Sequence, residues 1–63
     1  MGTHLIIILA TFTVDGCLRN VFGVGYAESK LEAIHNAIAH LKSRDSDYDE
    51  ERDGFTIDAE KIY

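Results

Sequence analysis

The spacing of hydrophobic residues changes along this chain, and the first spacing predicts a β-hairpin. His4–Val14 is rich in Ile, Leu, Thr, Phe and Val, a composition typical of strands. Asp15-Gly16 follows, and both residues tolerate positive φ, so the pair predicts a tight turn. Cys17–Ala27 then returns as a second strand.

A helix is predicted next. Ser29 to Glu32 forms a capping box, in which the serine hydroxyl accepts from the N–H three residues on and the glutamate reaches back. The helix runs to about Ser43. Its apolar stripe consists of Leu31, Ile34, Ile38 and Leu41, with Ala37 alongside.

Residues 44–54 read as a polar, charged loop, and residues 55–63 as a final strand. In that strand one set of residues alternates with another, which suits a half-exposed strand: Phe55, Ile57 and Ala59 against Thr56, Asp58 and Glu60. The predicted fold class is α+β, in the order strand, strand, helix, strand. The first strand, apolar on both sides in its first half, is placed centrally in a three-stranded antiparallel sheet, with the helix on one face.

The hairpin register decides which residues share a face. The interpretation we take first is a turn with an odd number of residues. It gives the helix an apolar face of Ile6, Ile8, Phe12, Val14, Leu18, Phe22, Val24 and Tyr26. Leu5, Ile7, Leu9 and Val21 then lie on the opposite face. A strict two-residue turn instead groups Leu5, Ile7 and Leu9 with Phe22, Val24 and Tyr26, and leaves Ile6, Ile8, Ala10 and Val21 over Gly23 and Gly25.

Either register leaves an apolar patch that one helix cannot cover. Burying about 300–400 Å² of it is worth on the order of 8–10 kcal/mol before association costs. We therefore expect the patch to meet a second copy or a different protein. The candidate residues for this face are Leu5, Ile7, Leu9 and Val21.

Length and cysteine content set further limits. At 63 residues the chain is one small domain, residues 1–63, which buries only about 60% of its unfolded surface. The single cysteine, Cys17, excludes an internal disulfide, and a reducing compartment fits best. We expect a cytoplasmic protein (the host cytoplasm if phage-encoded), with no membrane span and no signal peptide.

The net charge of −5 comes entirely from residues 44–63. Six of its eight acids lie between Asp45 and Asp53. This acidic segment is either a solvated, mobile loop or an anionic patch for a basic partner surface, such as one that normally holds nucleic acid. Direct nucleic-acid binding is not expected, because it needs clustered Lys and Arg. The candidate partner-binding residues are Asp45, Asp47, Asp49, Glu50, Glu51, Asp53, Arg19 and Lys61.

No catalytic, cofactor or metal site is predicted. His35 and His40 are five residues apart, about 140° around a helix, so they do not form a metal-binding pair. Gly23-Val24-Gly25 lacks the third glycine of a dinucleotide fingerprint and more readily allows close backbone approach. Nothing assembles a nucleophile, base and oxyanion hole, so we expect no enzyme.

Two segments resemble the small inhibitors of bacterial RNA polymerase made by podophages. The first is Tyr26-Ala27-Glu28-Ser29 followed by Glu32-Ala33, and the second is Gly54-Phe55 with the alternating strand after it. The resemblance covers most of the chain. It implies a three-stranded sheet with one helix, and inhibition of transcription by docking on the polymerase jaw without catalysis. The family's docking arginine pair falls at Ala59 and Lys61, so one positive charge remains.

The helix start is also similar to the last helix of double-stranded-RNA-binding domains and related antitoxin scaffolds. The matching residues are Ser29, Lys30, Ala33, Asn36, Ala37 and Leu41. At two positions where the RNA-binding domains carry further lysines, this chain has Leu31 and Ile34. Without those lysines, most of the electrostatic contribution to RNA affinity is lost. This likeness implies a shared scaffold without RNA binding.

The sequence leads us to expect one of three functions. The first is a non-enzymatic phage-type inhibitor that docks on a host nucleic-acid enzyme, with RNA polymerase as the first target. The second is an anti-defence inhibitor of restriction or CRISPR enzymes, acting as an acidic nucleic-acid mimic. The third is a structural or regulatory homodimer with a double-stranded-RNA-binding-like or antitoxin-like fold.

Overall fold

A computed structural model describes residues 2–63 and contains five elements. They are β1 (His4–Val14), β2 (Cys17–Ala27), α1 (Lys30–Arg44), α2 (Glu50–Asp53) and β3 (Thr56–Ile62). The strands form one antiparallel sheet in the order β2-β1-β3, with β1 in the centre. The predicted α+β class and strand–strand–helix–strand order are confirmed.

The hairpin closes through a two-residue turn. Val14 pairs with Cys17, and Asp15 and Gly16 both have positive φ, 51° and 80°. This register puts Ile6 opposite Gly25 and Ile8 opposite Gly23. The odd-residue turn is therefore wrong for the β2 residues that it assigned to the helix, and the two-residue alternative is confirmed.

Two glycines let α1 lie directly on β2. A Cβ at Gly25 would overlap the carbonyl oxygen of Ala33 and the amide nitrogen of Ala37 in the helix. At Gly23 a Cβ would overlap the carbonyl oxygen of Ala37. Only glycine permits this approach, which explains the Gly-x-Gly spacing in the strand.

The core lies between α1 and one face of β1. Ile6 and Ile8 are fully buried, and they pack with a cluster that also contains Ala10, Phe12, Ala33, Ala37, Ile38, Leu41 and Tyr48. Leu31, predicted on the apolar stripe, is 65% exposed, and Ala33 takes a buried position instead. The stripe is rotated because the helix backbone, rather than large side chains, meets the glycines of β2.

The start of α1 follows the prediction, since Ser29 is the N-cap and its hydroxyl accepts from the Glu32 N–H at 3.2 Å. β3 departs from simple alternation. The register shifts between Ile7, which pairs with Ala59, and Ile8, which pairs with Ile57. This bulge leaves Asp58 as the extra residue and puts Ile57 and Ala59 on opposite faces.

Residues 44–54 are not a simple loop, because they contain α2. Asp49 caps this single helical turn, its carboxylate accepting from the N–H groups of Glu51 and Arg52. The turn ends at Gly54, which has a positive φ of 65°. The predicted polar segment is therefore partly helical, with a defined start and end.

Candidate docking surface

The sheet face opposite α1 carries no covering element among residues 2–63. Because directly paired residues of antiparallel strands share a face, the register defines this open face: Leu5, Ile7, Leu9, Thr11, Thr13, Leu18, Asn20, Phe22, Val24, Tyr26, Thr56, Ala59 and Lys61. Three of the four predicted residues of the uncovered patch, Leu5, Ile7 and Leu9, lie on it. Val21 does not, because it pairs with Ala10 and packs against the core under α1.

The apolar part of the open face is substantially exposed. Leu5, Ile7 and Leu9 are half-buried by their neighbours within the sheet. Beside them on β2, Phe22 is 42% and Tyr26 is 59% exposed. Exposed aromatic rings next to aliphatic side chains are the composition enriched in protein interfaces.

Charge is nearly absent from the open face. Of its thirteen residues only Lys61 is charged, although 27% of the whole chain is Asp, Glu, Lys or Arg. Two of its polar residues satisfy each other, since the Thr11 hydroxyl donates to Asn20 Oδ1 at 2.7 Å. Depletion of charge is the compositional signal of an interface centre, so the open face is the strongest candidate site of the molecule.

Lys61 lies at the border of the open face, on β3. Its Nζ is 5.0 Å from the centre of the Tyr63 ring, within the range of a cation–π contact. Its charge is therefore placed next to an aromatic ring at the end of the chain.

The acidic segment lies on the other side of the sheet, where its carboxylates bind residues of the same chain. Arg19 Nη1 donates to Asp45 at 2.9 Å and to Asp47 at 3.1 Å. The hydrogen bond from Arg19 lowers the pKa of Asp45 below its ordinary value and raises that of the arginine. Arg19 thus holds the start of the segment against the hairpin.

Further carboxylates of the segment are also engaged. Arg52 pairs with Asp53 at 2.9 Å, and this hydrogen bond lowers the pKa of Asp53. Glu50 pairs with Lys42 of α1 at 3.3 Å. Among the six predicted acids, only Glu51 has no ion pair or side-chain hydrogen bond in the described part of the chain. Three cations, two of which lie outside the segment, therefore pair with four of its six carboxylates.

Tyr48 anchors the acidic segment in the core. It is 6% exposed, its ring centre is 5.7 Å from that of Phe12, and its hydroxyl donates to the Gly54 carbonyl at 2.9 Å. Burial raises the pKa of this phenol. The sequence did not reveal the role of Tyr48, because a single tyrosine within a charged run carries no periodicity.

Three polar residues of α1 close the outer edge of β2. Asn36 donates to the Tyr26 carbonyl at 2.8 Å, and Arg44 donates to the Phe22 carbonyl at 3.3 Å. Between them, His40 Nδ1 accepts from the Val24 N–H at 2.9 Å. The sequence reading did not anticipate these contacts. The signal was the i, i+4, i+8 spacing of the three side chains, which places them on one line along the helix.

Chemistry elsewhere is sparse. Residues 2–63 hold no cluster of three or more His, Cys, Asp or Glu side chains suited to a metal ion. Within the same range, neither helix has the length and hydropathy needed to span a bilayer. Comparisons with protein families, curated proteins and solved structures give no significant match.

Proposed function

We propose that this chain is a small, non-enzymatic protein that inhibits a host nucleic-acid enzyme by docking on it through the open face. The observation that carries the proposal is the near absence of charge on an exposed apolar face, in a protein in which 27% of all residues are charged. Such a face gains free energy when another protein removes it from water.

The first target is bacterial RNA polymerase, and its support is the resemblance to the podophage inhibitors. The sheet-and-helix architecture agrees with the fold which that resemblance implies. Lys61, at the position of one docking arginine, lies at the border of the open face, where it would meet an acidic residue at the rim of the partner surface.

Docking through the acidic segment has weaker support. Most of its carboxylates already bind arginine, lysine or backbone groups of the same chain. A nucleic-acid mimic needs several free negative charges, and of the six only Glu51 has no partner among the described residues. Affinity carried by the apolar face changes little with salt, whereas affinity carried by charge falls steeply as salt rises.

The test uses the tagged full chain with purified bacterial RNA polymerase, in a binding assay and a transcription assay at two salt concentrations. We expect Phe22→Lys and Tyr26→Lys to abolish binding and inhibition, because each brings a charge into the buried contact. Leu31→Lys is the matched control, since Leu31 is equally apolar but lies exposed on α1. Polymerase binding that survives both open-face variants, or no binding at all, would refute the proposal.

A homodimer is the second candidate function. The open face is uncharged and flat, and two sheets can stack face to face about 10 Å apart. This arrangement needs no complementary charges on the two surfaces, so a second copy of the chain satisfies it.

A further inference from the structure

We propose that the isolated chain forms a two-fold dimer in which the open faces of two copies stack, with the helices on the outside. The dimer buries the face that the proposed function uses, so a second copy and a host protein compete for it, and the dimer does not depend on the identity of the host partner. Both sheet edges carry obstacles to strand pairing, whereas the open face has the area and the low charge that a dimer interface requires.

The β2 edge is blocked to strand pairing between Phe22 and Tyr26. Phe22, Val24 and Tyr26 point their backbone groups outward, and three of those groups already bind side chains of α1. A second copy would have to displace Asn36 and His40 to reach them. Covering an edge with a helix is a known way of blocking edge-to-edge association.

The β3 edge carries charges that oppose self-pairing. A two-fold axis through Asp58, Glu60 or Lys61 puts that residue opposite its own copy. An axis through Ala59 puts Asp58 opposite Glu60 of the partner subunit. Each of these four registers places like charges directly across from each other, which destabilises a strand pair, and the bulge at Asp58 further disturbs the edge.

The open face meets the requirements that the edges fail. β1 has 11 residues, and strands about 4.8 Å apart with a rise of about 3.4 Å per residue give a face of about 500 Å². Two such faces bury about 1,000 Å², the lower limit for a specific interface. With Lys61 as its single charge, at the border, stacking leaves the apolar centre free of buried charge.

Sedimentation equilibrium over about 1 to 300 µM tests this proposal, and we expect a dimer in the micromolar range. Phe22→Lys should weaken association by about 100-fold, because two-fold symmetry brings two lysines into one interface. Tyr26→Lys is the second variant, and circular dichroism checks that both fold. Leu31→Lys should leave the dissociation constant unchanged.

Three results would overturn the inference. They are a monomer at every concentration, a dimer that folded Phe22→Lys and Tyr26→Lys leave intact, and a dimer that responds to Glu60→Lys instead, which would point to the β3 edge. Failure of the proposed function is a separate outcome. A dimer without polymerase binding refutes only the function, and a monomer that binds polymerase refutes only the dimer.

Discussion

The two faces of β1 are built from nearly the same residues and have opposite environments. Ile6 and Ile8 point toward α1 and are fully buried, whereas Ile7, between them, points to the open face and is only half-buried. Apolar content therefore does not decide burial here. The parity of the hairpin register and the position of the helix decide it.

The faces also differ in what surrounds the aliphatic residues. Under α1, Gly23 and Gly25 bring the helix backbone against the strand, so small residues produce close packing. On the open face, Phe22 and Tyr26 project from the same strand and stay exposed. A strand that alternates glycine with large residues thus presents one side to its own helix and offers the other to a partner.

The largest expected effect comes from breaking the helix face at Gly25. In Gly25→Ala the new Cβ would overlap backbone atoms of α1, so we expect a loss of about 3 kcal/mol or more. Because a domain of this size has about 3–9 kcal/mol in total, much of the protein should unfold in urea titrations followed by circular dichroism. Val24→Ala, on the open side of the same strand, should cost about 1 kcal/mol. Equal stability of the two variants would contradict the packing described here.

Neighbouring isoleucines of β1 give the sharpest comparison of the faces. Ile8→Ala should cost about 2–5 kcal/mol, because it leaves a cavity in the core, and Ile7→Ala should cost about 1 kcal/mol in the monomer. Both are measured by urea unfolding in a Tyr26→Lys background, which we expect to keep the chain monomeric. An equal or larger loss for Ile7→Ala would show that the open face is covered within the monomer.

A smaller effect is expected from one hydroxyl group. Tyr48→Phe removes the hydrogen bond to the Gly54 carbonyl and should cost about 1 kcal/mol. The matched control is Tyr26→Phe, since Tyr26 is exposed and its hydroxyl makes no hydrogen bond to residues 2–63. We expect this control within about 0.5 kcal/mol of the parent chain. If thermal unfolding showed equal losses of stability for Tyr48→Phe and Tyr26→Phe, the anchoring role of the Tyr48 hydroxyl would be contradicted.

The smallest effect concerns acid pH. Arg19 lowers the pKa of Asp45 in the folded chain below its ordinary value of 3.8. The resulting stabilisation is present above the unfolded pKa and is lost as the pH falls below about 4, through the folded pKa. Unfolding curves between about pH 3 and 6 should show this loss, and Asp45→Asn should reduce it. Glu51→Gln, the control, should leave the dependence of stability on pH unchanged. If Asp45→Asn also left it unchanged, the proposed role of the Arg19–Asp45 ion pair would be contradicted.

Much of the fold was predictable because it depends on local signals. The bounds of β1 and β2, the turn at Asp15-Gly16 and the Ser29 cap agree with the sequence reading. The phase of the helix was not predictable, since Leu31 and Ala33 compete for burial only when the position of the glycines beneath α1 is known. The bulge in β3 opposite Ile7 and Ile8 was not predictable either, because one extra residue cannot be recognised from the sequence of a short alternating strand.

The sequence predicted that the sheet has an exposed apolar face, but it did not predict correctly which residues form it. The composition of β1 and β2 predicts more apolar surface than one helix can cover. Leu5, Ile7 and Leu9 were predicted on that basis. The register was needed to show that Phe22, Val24 and Tyr26 belong to the open face and that Val21 does not. The acidic residues had no evident partner in the sequence, because Arg19 comes close to Asp45 and Asp47 only after folding.

The sequence by itself determined the three strands, the main helix, their order and the surplus of apolar surface, because turns, caps and side-chain periodicity act over a few residues. The tertiary structure decided which side of the sheet the helix covers, which edge it closes and how the acids are paired. Those outcomes depend on contacts between residues far apart in the chain, such as Gly25 with Ala33 and Arg19 with Asp45. Such contacts exist only once backbone sterics and burial have fixed a single register.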